Sequence, residues 1–434
     1  MQLQASKIAE LVGGQLVGED VVIDGVQFDS RSEIDGRLFI AINAERNGHD
    51  FVDHAFAMGA SCALVSETID NQVGTMVLVE DTLRAFTTLA REIRVTELAS
   101  AEVVGVTGSV GKTSTKNLIA GAVSSKVVSS SLKSFNNEQG VPYTLLNAPR
   151  DAEVVVVEMG MRGFGEIAHL CDVAAPTIGV VTCVGEAHTA RLGGLDGVAI
   201  AKSELVQAIP RRGVAVLNAD DERVLGMARQ CSGSVLTYGS EAEVSMLQWH
   251  ADTAGQSHLV FASPWGSGEV QLQVPGRHMA QNALAAIAVG GALSVPLEEV
   301  IFGLERVVAE DHRMVIHQLD SGSVLIDDCY NANPTSVTAA LHTLAGIGAE
   351  RKIAVLGEMA EVDQPERAHR LIASVMSDLG VELVAINTAL YGVASSHDVP
   401  SYVLEALADG NTAVLVKGSR VAGLERIVNE LLAN

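Results

Sequence analysis

VVGVTGSVGKTSTK, residues 103–116, decides how the chain folds, because it runs from a buried-strand pattern through a glycine-rich turn into a helix. AEVVGVT is apolar enough for a strand inside a sheet, and TSTKNLIAGAV reads as a helix from Thr113 onward. A turn between two such elements offers backbone N–H groups to an anion at the positive end of the helix. The common phosphate-binding loop is G-x-x-x-x-G-K-[ST]. Counting back from Gly111-Lys112-Thr113, its leading glycine falls at position 106, where Val106 stands. Gly108, Ser109, Val110, Gly111, Lys112, Thr113 and Ser114 are therefore read as a nucleotide loop with an altered start. Lys112 is placed to reach the outer phosphates, and Thr113 to offer its hydroxyl to Mg²⁺.

Around this loop the pattern is β-α repeated. VVVVEMG, TIGVVTCVG and GVAVLNADD continue it to about residue 308, and a mostly parallel sheet with helices on both faces is expected. Residues 241–275 interrupt it and read as an antiparallel insertion. Up to about residue 95, short strands and helices alternate. From about 309, SVLIDDCY opens a second α/β pattern carried on by KIAVLGEM, LVAIN and AVLVKGSR. The length of 434 residues agrees with more than one domain.

Composition excludes several classes. With 53 Asp plus Glu against 29 Lys plus Arg, the net charge is −24, the wrong sign for a phosphate-backbone binder. Aromatics at 4% leave few stacking platforms for single strands. No nucleic-acid partner is expected, and an anionic ligand must be met by a few placed cations and metal ions. Apolar runs such as Val154 to Val157 are strand length and not membrane length, so no membrane span is expected. MQLQASKIAELVGG lacks the basic start and apolar core of a signal peptide, which points to a cytoplasmic protein. Cys62, Cys171, Cys183, Cys231 and Cys329 form no C-x-x-C pair and read as small hydrophobes.

Further motifs stand at strand ends. Glu158 closes a run of four valines beside the loop, where a carboxylate can hold a metal ion or simply end a strand. His188 follows the strand TIGVVTCVG, and Lys202 comes in AKSEL; a structural histidine and a surface ion pair are the alternatives. GRHMAQNALAAIAVG starts a helix carrying Asn282. SVLIDDCYNANPTS ends a strand at Asp327 and Asp328, then places Asn331, Asn333 and Pro334 in a turn, which is also ordinary turn chemistry. FDSR (28–31) and GRLFIAINAERNGHDF (36–51) are dense in polar groups and read equally well as loops.

Taken together these segments resemble the Mur ligases, the ATP-dependent amide-forming enzymes that build the peptidoglycan precursor. TGSVGKTS is similar to the family's TGxxGKT[ST] loop, which lacks the leading glycine, so Val106 marks a family variant. SFNNEQGVPYTLL, VEMG, VGEAHTARLGG, AKSEL, LNADD, GRHMAQNALAA and DDCYNANPTS follow in the family's order. DDCYNANP, NNEQGVPYTLL and LVKGSR (415–420) look most like the branch that joins D-alanyl-D-alanine to UDP-N-acetylmuramoyl-tripeptide. The sister branch adding the third residue carries a D-N-P-R motif, and none occurs here. A plain P-loop NTPase or a nucleotide switch without ligase activity is the reading from another class.

The resemblance implies an α/β fold in three domains: a small N-terminal domain over 1–98 that binds the UDP substrate, a central P-loop-type, mostly parallel sheet over 99–310 that binds ATP, and a Rossmann-like C-terminal domain over 311–434 that closes on the nucleotide and binds the dipeptide. It also implies residue roles. Lys112, Asn137, Glu158, His188, Lys202 and Arg313 serve the reaction. Thr113, Glu158, His188 and a carbamylated Lys202 hold Mg²⁺. Asn282, Asp328 and Asn331 surround the adenosine, Arg313 reaches the phosphates, and Ser30 and Arg31 meet the UDP end. ATP and Mg²⁺ are the implied cosubstrate and metal, and a cytoplasmic monomer is expected.

Overall fold

The runs VVGVT and VVVVE become neighbouring parallel strands, Glu102–Thr107 and Val154–Glu158, of a nine-stranded sheet. The computed structural model describes residues 1–69, 74–186, 189–252 and 255–433. Across the sheet the strands lie in the order Val128–Ser130, Val154–Glu158, Glu102–Thr107, Ile178–Val181, Val214–Asn218, Ser234–Gly239, Val244–Ala251, Gln256–Ser263 and Gly266–Pro275. Pairing is parallel through Val244–Ala251, and the last two strands turn antiparallel. The expected insertion is thus a widening of the central sheet.

Alternate side chains of one strand serve two cores. Val104, Val106, Val154 and Val156 face the helices Lys112–Ala122 and Arg277–Ala292, in a core that continues into Ile326, Leu356 and Leu415 of the C-terminal part. Val103, Val155 and Val157 face the opposite way, toward the helices Gly140–Leu146, Glu166–Ala174 and Leu195–Ala208. That second core continues into Ile8, Leu64 and Phe86 near the N-terminus. Burying both faces is what a continuous valine run requires.

Besides a two-stranded pairing of Gln2–Gln4 with Val22–Asp24, two larger sheets accompany the central one. The N-terminal sheet has five strands, Gln15–Val17, Thr75–Leu78, Cys62–Val65, Leu38–Ile40 and Val26–Gln27, parallel except at the first pairing. The C-terminal sheet has six, Val315–Gln318, Val324–Asp327, Thr412–Lys417, Arg351–Leu356, Glu382–Ile386 and Ser395–Ser396, with an antiparallel edge at Val315–Gln318. The α/β class with three sheet-centred bodies agrees with the sequence expectation. All five cysteines are free; Cys62, Cys171 and Cys329 are buried, and burial pushes the Cys62 and Cys171 thiols up to about 12. Among the described residues no helix is long and apolar enough to cross a membrane.

Candidate functional site

Val106 sits inside the strand, fully buried and paired with Glu158 on one side and Val180 on the other. The loop proper therefore starts at Gly108. A Cβ there would stand 1.8 Å from Thr182 Oγ1, so the close approach of two strand ends demands glycine. Gly111 has φ 82° and is the N-cap of the helix Lys112–Ala122, with no side chain capping that helix. Its first amides are left to face the cleft, the arrangement that favours an anion. The loop is stapled to the next strand end: Ser109 N donates to Cys183 O at 2.9 Å, and Thr182 Oγ1 donates to Val110 O at 2.5 Å.

A carboxylate stands beside the helix start. Thr113 Oγ1 donates to Glu158 Oε2 at 2.8 Å, and Asn136 Nδ2 donates to Glu158 Oε1 at 2.8 Å. Adjacent oxygens around an octahedral Mg²⁺ at its usual bond length lie about 3 Å apart. Thr113 and Glu158 are already spaced as two such neighbours, so the pair fits the metal. The sequence reading gave the active-site role to Asn137. The structure instead turns Asn137 Oδ1 toward Gly140 N, at 3.0 Å, where it fixes the start of the helix Gly140–Leu146. Asn136 is the one that touches Glu158, because helix entry takes up its neighbour.

Two lysines converge here. Lys112 Nζ donates to Gly108 O at 2.8 Å; burial lowers its pKa, and Glu158 pulls it back up. Lys202, 3% exposed on the helix Leu195–Ala208, is pushed well below the ordinary lysine range by burial and by the charge of Lys112. It is not a surface ion pair, and among the described residues it makes no hydrogen bond. His188 lies outside the described residues.

The C-terminal part closes the other side of a cleft of about 1280 Å³, lined by the whole loop together with Asn136, Asn137, Glu158, Lys202, Asn282, Arg313, Asp328 and Asn331. Asn282, on the helix Arg277–Ala292, faces the loop: a Cβ on Gly111 would lie 3.1 Å from its Oδ1. Arg313 hangs on a linker with left-handed residues on either side, His312 at φ 62° and Met314 at φ 57°, a conformation held by packing. Its guanidinium stacks on Tyr330 at 3.8 Å, and its Nε lies 3.6 Å from Glu310 Oε2. Lys116, in the next turn of the loop helix, reaches the same Glu310 at 3.3 Å, so loop helix and linker share one carboxylate. Tyr330 also shares a short hydroxyl contact with Ser134. Asp328 pairs with buried Lys417 at 2.5 Å; burial pushes the Asp328 carboxyl up, and Lys417 opposes it. Lys417 donates to Asn331 O at 3.0 Å as well, which favours the charged pair.

Ser30 and Arg31 do not line this cleft. Ser30 is buried, and Arg31 is exposed in a two-point pair with Asp29 that holds the Asp29 carboxyl at about 2. Their turn is tied to the cleft indirectly, through the rings of Phe28, Phe135 and Tyr143 at 5.4–5.6 Å. Ser134, Tyr330 and Lys417 also line the cleft and were not singled out from the sequence, though each lies inside a motif quoted there; Asn136 was the alternative to Asn137.

Comparison with known proteins agrees with this geometry. Residues 106–290 match the Mur ligase middle domain, and residues 312–420 match the Mur ligase, glutamate ligase domain. The chain is 32% identical, over 99% of its length and 98% of the relative's, to the UDP-N-acetylmuramoyl-tripeptide–D-alanyl-D-alanine ligase of Escherichia coli K12. Its structure resembles MurF from Acinetobacter baumannii with a TM-score of 0.90 at 28% identity, covering 100% of this chain and 99% of that one. It also resembles the MurF ligase of Thermotoga maritima in complex with ADP, TM-score 0.80 at 25% identity, covering 94% and 97%.

Proposed function

This chain belongs to the Mur ligase family, and we propose that it joins D-alanyl-D-alanine to UDP-N-acetylmuramoyl-tripeptide, converting ATP to ADP and phosphate. The observation that carries the reading is the single cleft in which a phosphate loop, a metal-spaced Thr113–Glu158 pair and a cationic linker face one another. A carboxylate does not accept an amine at neutral pH, because its oxygen is a poor leaving group. One carboxylate oxygen of the tripeptide attacks the γ-phosphorus, the bond from phosphorus to the ADP oxygen breaks, and an acyl phosphate forms. The neutral amine of the dipeptide then bonds to the acyl carbon, phosphate leaves, and the amine's surplus proton passes to solvent.

Both partners in the first step are anions, so cations must stand between them. Loop amides and Lys112 hold the phosphates, and Arg313 adds its charge from the linker. Thr113 and Glu158 would hold Mg²⁺, which when bound would supply further positive charge to the phosphates. Burial lowers the Lys202 pKa and so favours the neutral amine, the form that adds CO₂ with loss of a proton; the carbamate so formed would be an anion suited to a second metal. Residues 1–98 bind the UDP end through the Ser30–Arg31 turn, 99–310 bind ATP, and 311–434 bring the dipeptide and close about the Glu310–Met314 linker. On this reading the protein is a cytoplasmic monomer making a precursor on which cell shape and division depend.

ADP release with ATP and Mg²⁺ tests the reading, offering UDP-N-acetylmuramoyl-tripeptide with either D-alanyl-D-alanine or a single amino acid. Release only with the dipeptide is expected. Release with a single amino acid would move the chain to the sister branch, and release without any acceptor would make it a plain NTPase.

A further inference from the structure

The second substrate ends in a carboxylate, and it enters a chain carrying a net charge of −24 at a site already holding phosphoryl groups. A cation must therefore meet that end. Three cations of the C-terminal part line the cleft: Arg313, Lys417 and Arg420. Arg313 is shared with Glu310, and Lys417 is neutralised by Asp328. Arg420 is exposed, and among the described residues no carboxylate pairs with it.

Its surroundings look built for a ligand. Ser419 N donates to Glu358 O at 2.9 Å, and Ser419 Oγ accepts from Ala360 N at 2.7 Å, so the backbone before Arg420 is pinned on both sides. The guanidinium lies over the Tyr330 ring at 5.4 Å, and Nη1 donates to the Tyr330 hydroxyl at 3.4 Å. That leaves further N–H groups of the planar fork for a two-point contact with a carboxylate. Val421, 80% exposed and also lining the cleft, offers an apolar contact beside it.

We propose that Arg420, steadied on Tyr330, binds the terminal carboxylate of the incoming dipeptide while Val421 packs on its methyl groups. This rests on the ligase reading above and names the residue that anchors its second substrate. Holding that end leaves the amine free to point at the acyl carbon. It also makes a dipeptide preferable to a single amino acid, whose carboxylate stands one residue closer to its amine.

Steady-state kinetics with D-alanyl-D-alanine and with its C-terminal amide test the assignment, in the unaltered chain, Arg420→Gln and Arg420→Lys. For the unaltered chain the amide should raise KM about 10- to 100-fold, the range for losing a charged hydrogen-bonded contact. Arg420→Gln should raise the dipeptide KM by a similar factor, leave the KM for ATP unchanged, and no longer tell acid from amide; Arg420→Lys should recover part of the loss. Equal use of acid and amide by the unaltered chain overturns the proposal. So does undiminished discrimination in Arg420→Gln, or a rise confined to ATP. Absence of dipeptide-dependent ADP release from the unaltered chain would instead sink the ligase reading, and this anchor with it.

Discussion

Two strand–turn–helix units face each other across the cleft, and they end in opposite chemistry. In the central unit the strand Glu102–Thr107 leads through Gly108–Gly111 into the helix Lys112–Ala122, whose N-cap glycine has no side chain to offer. In the C-terminal unit the strand Val324–Asp327 leads into the helix Pro334–Gly346, whose start is satisfied from within: Asn333 Oδ1 accepts from Ser336 N at 2.8 Å, and Ser336 Oγ accepts from Asn333 N at 3.1 Å. Pro334 brings no N–H at all. The lysines follow suit. Among the described residues Lys112 donates only to carbonyls of its own loop, whereas Lys417 is spent on Asp328. Similar topology thus yields an anion site in one unit and a self-neutralised wall in the other, because capping decides which amides remain available.

The contrast is broken most severely at the lysines. Lys112→Ala should lower turnover about 10³- to 10⁵-fold, the scale of losing a cation on a transferring phosphoryl group, with an unchanged urea midpoint. A shifted midpoint at retained turnover would reverse the roles given to the two units. Lys417→Ala should do the opposite, because it strands a buried carboxylate. About 3 kcal/mol of unfolding free energy should be lost by urea titration, and Lys417→Met with Asp328→Asn should recover much of it.

Smaller effects sharpen the same comparison. Lys202→Met should raise the stability of the ligand-free chain by about 1–3 kcal/mol while removing turnover, since a buried amine that meets no acceptor among the described residues is held at a cost. The folded Lys202 has a lower pKa than the unfolded one, so between the two values the unfolded chain binds more protons, and stability rises with pH. The gain from Lys202→Met should therefore be fullest below the folded Lys202 pKa, and should be gone once pH passes the ordinary lysine range. A gain that persists there would point to packing and not charge. Asn333→Ala should cost about 1 kcal/mol, the usual worth of an N-cap, and leave the KM for ATP untouched. A raised KM would mean that this helix start also serves the nucleotide.

Much of the fold was legible because it rests on local patterns. Valine runs, the glycine turn and strand-end carboxylates each announce themselves within a few residues, and Glu158 and Thr113 meet where that reading put them. The choice between Asn136 and Asn137 was not legible, since neighbouring identical residues differ only in which way the backbone turns them. Nor was the pairing of Asp328 with Lys417, 89 positions apart, or that of Ser134 with Tyr330.

The sequence by itself determined the buried valine-rich strands, the turn that can hold a phosphate, and the family to which both belong, because period, composition and glycine placement act over a handful of bonds. Only the tertiary structure decided how the cations are partnered: Lys417 is consumed, Arg313 is shared, and Arg420 meets no carboxylate among the described residues. Charge neutralisation depends on distances of a few ångströms between groups far apart in the chain, and those distances exist only once the sheets have packed.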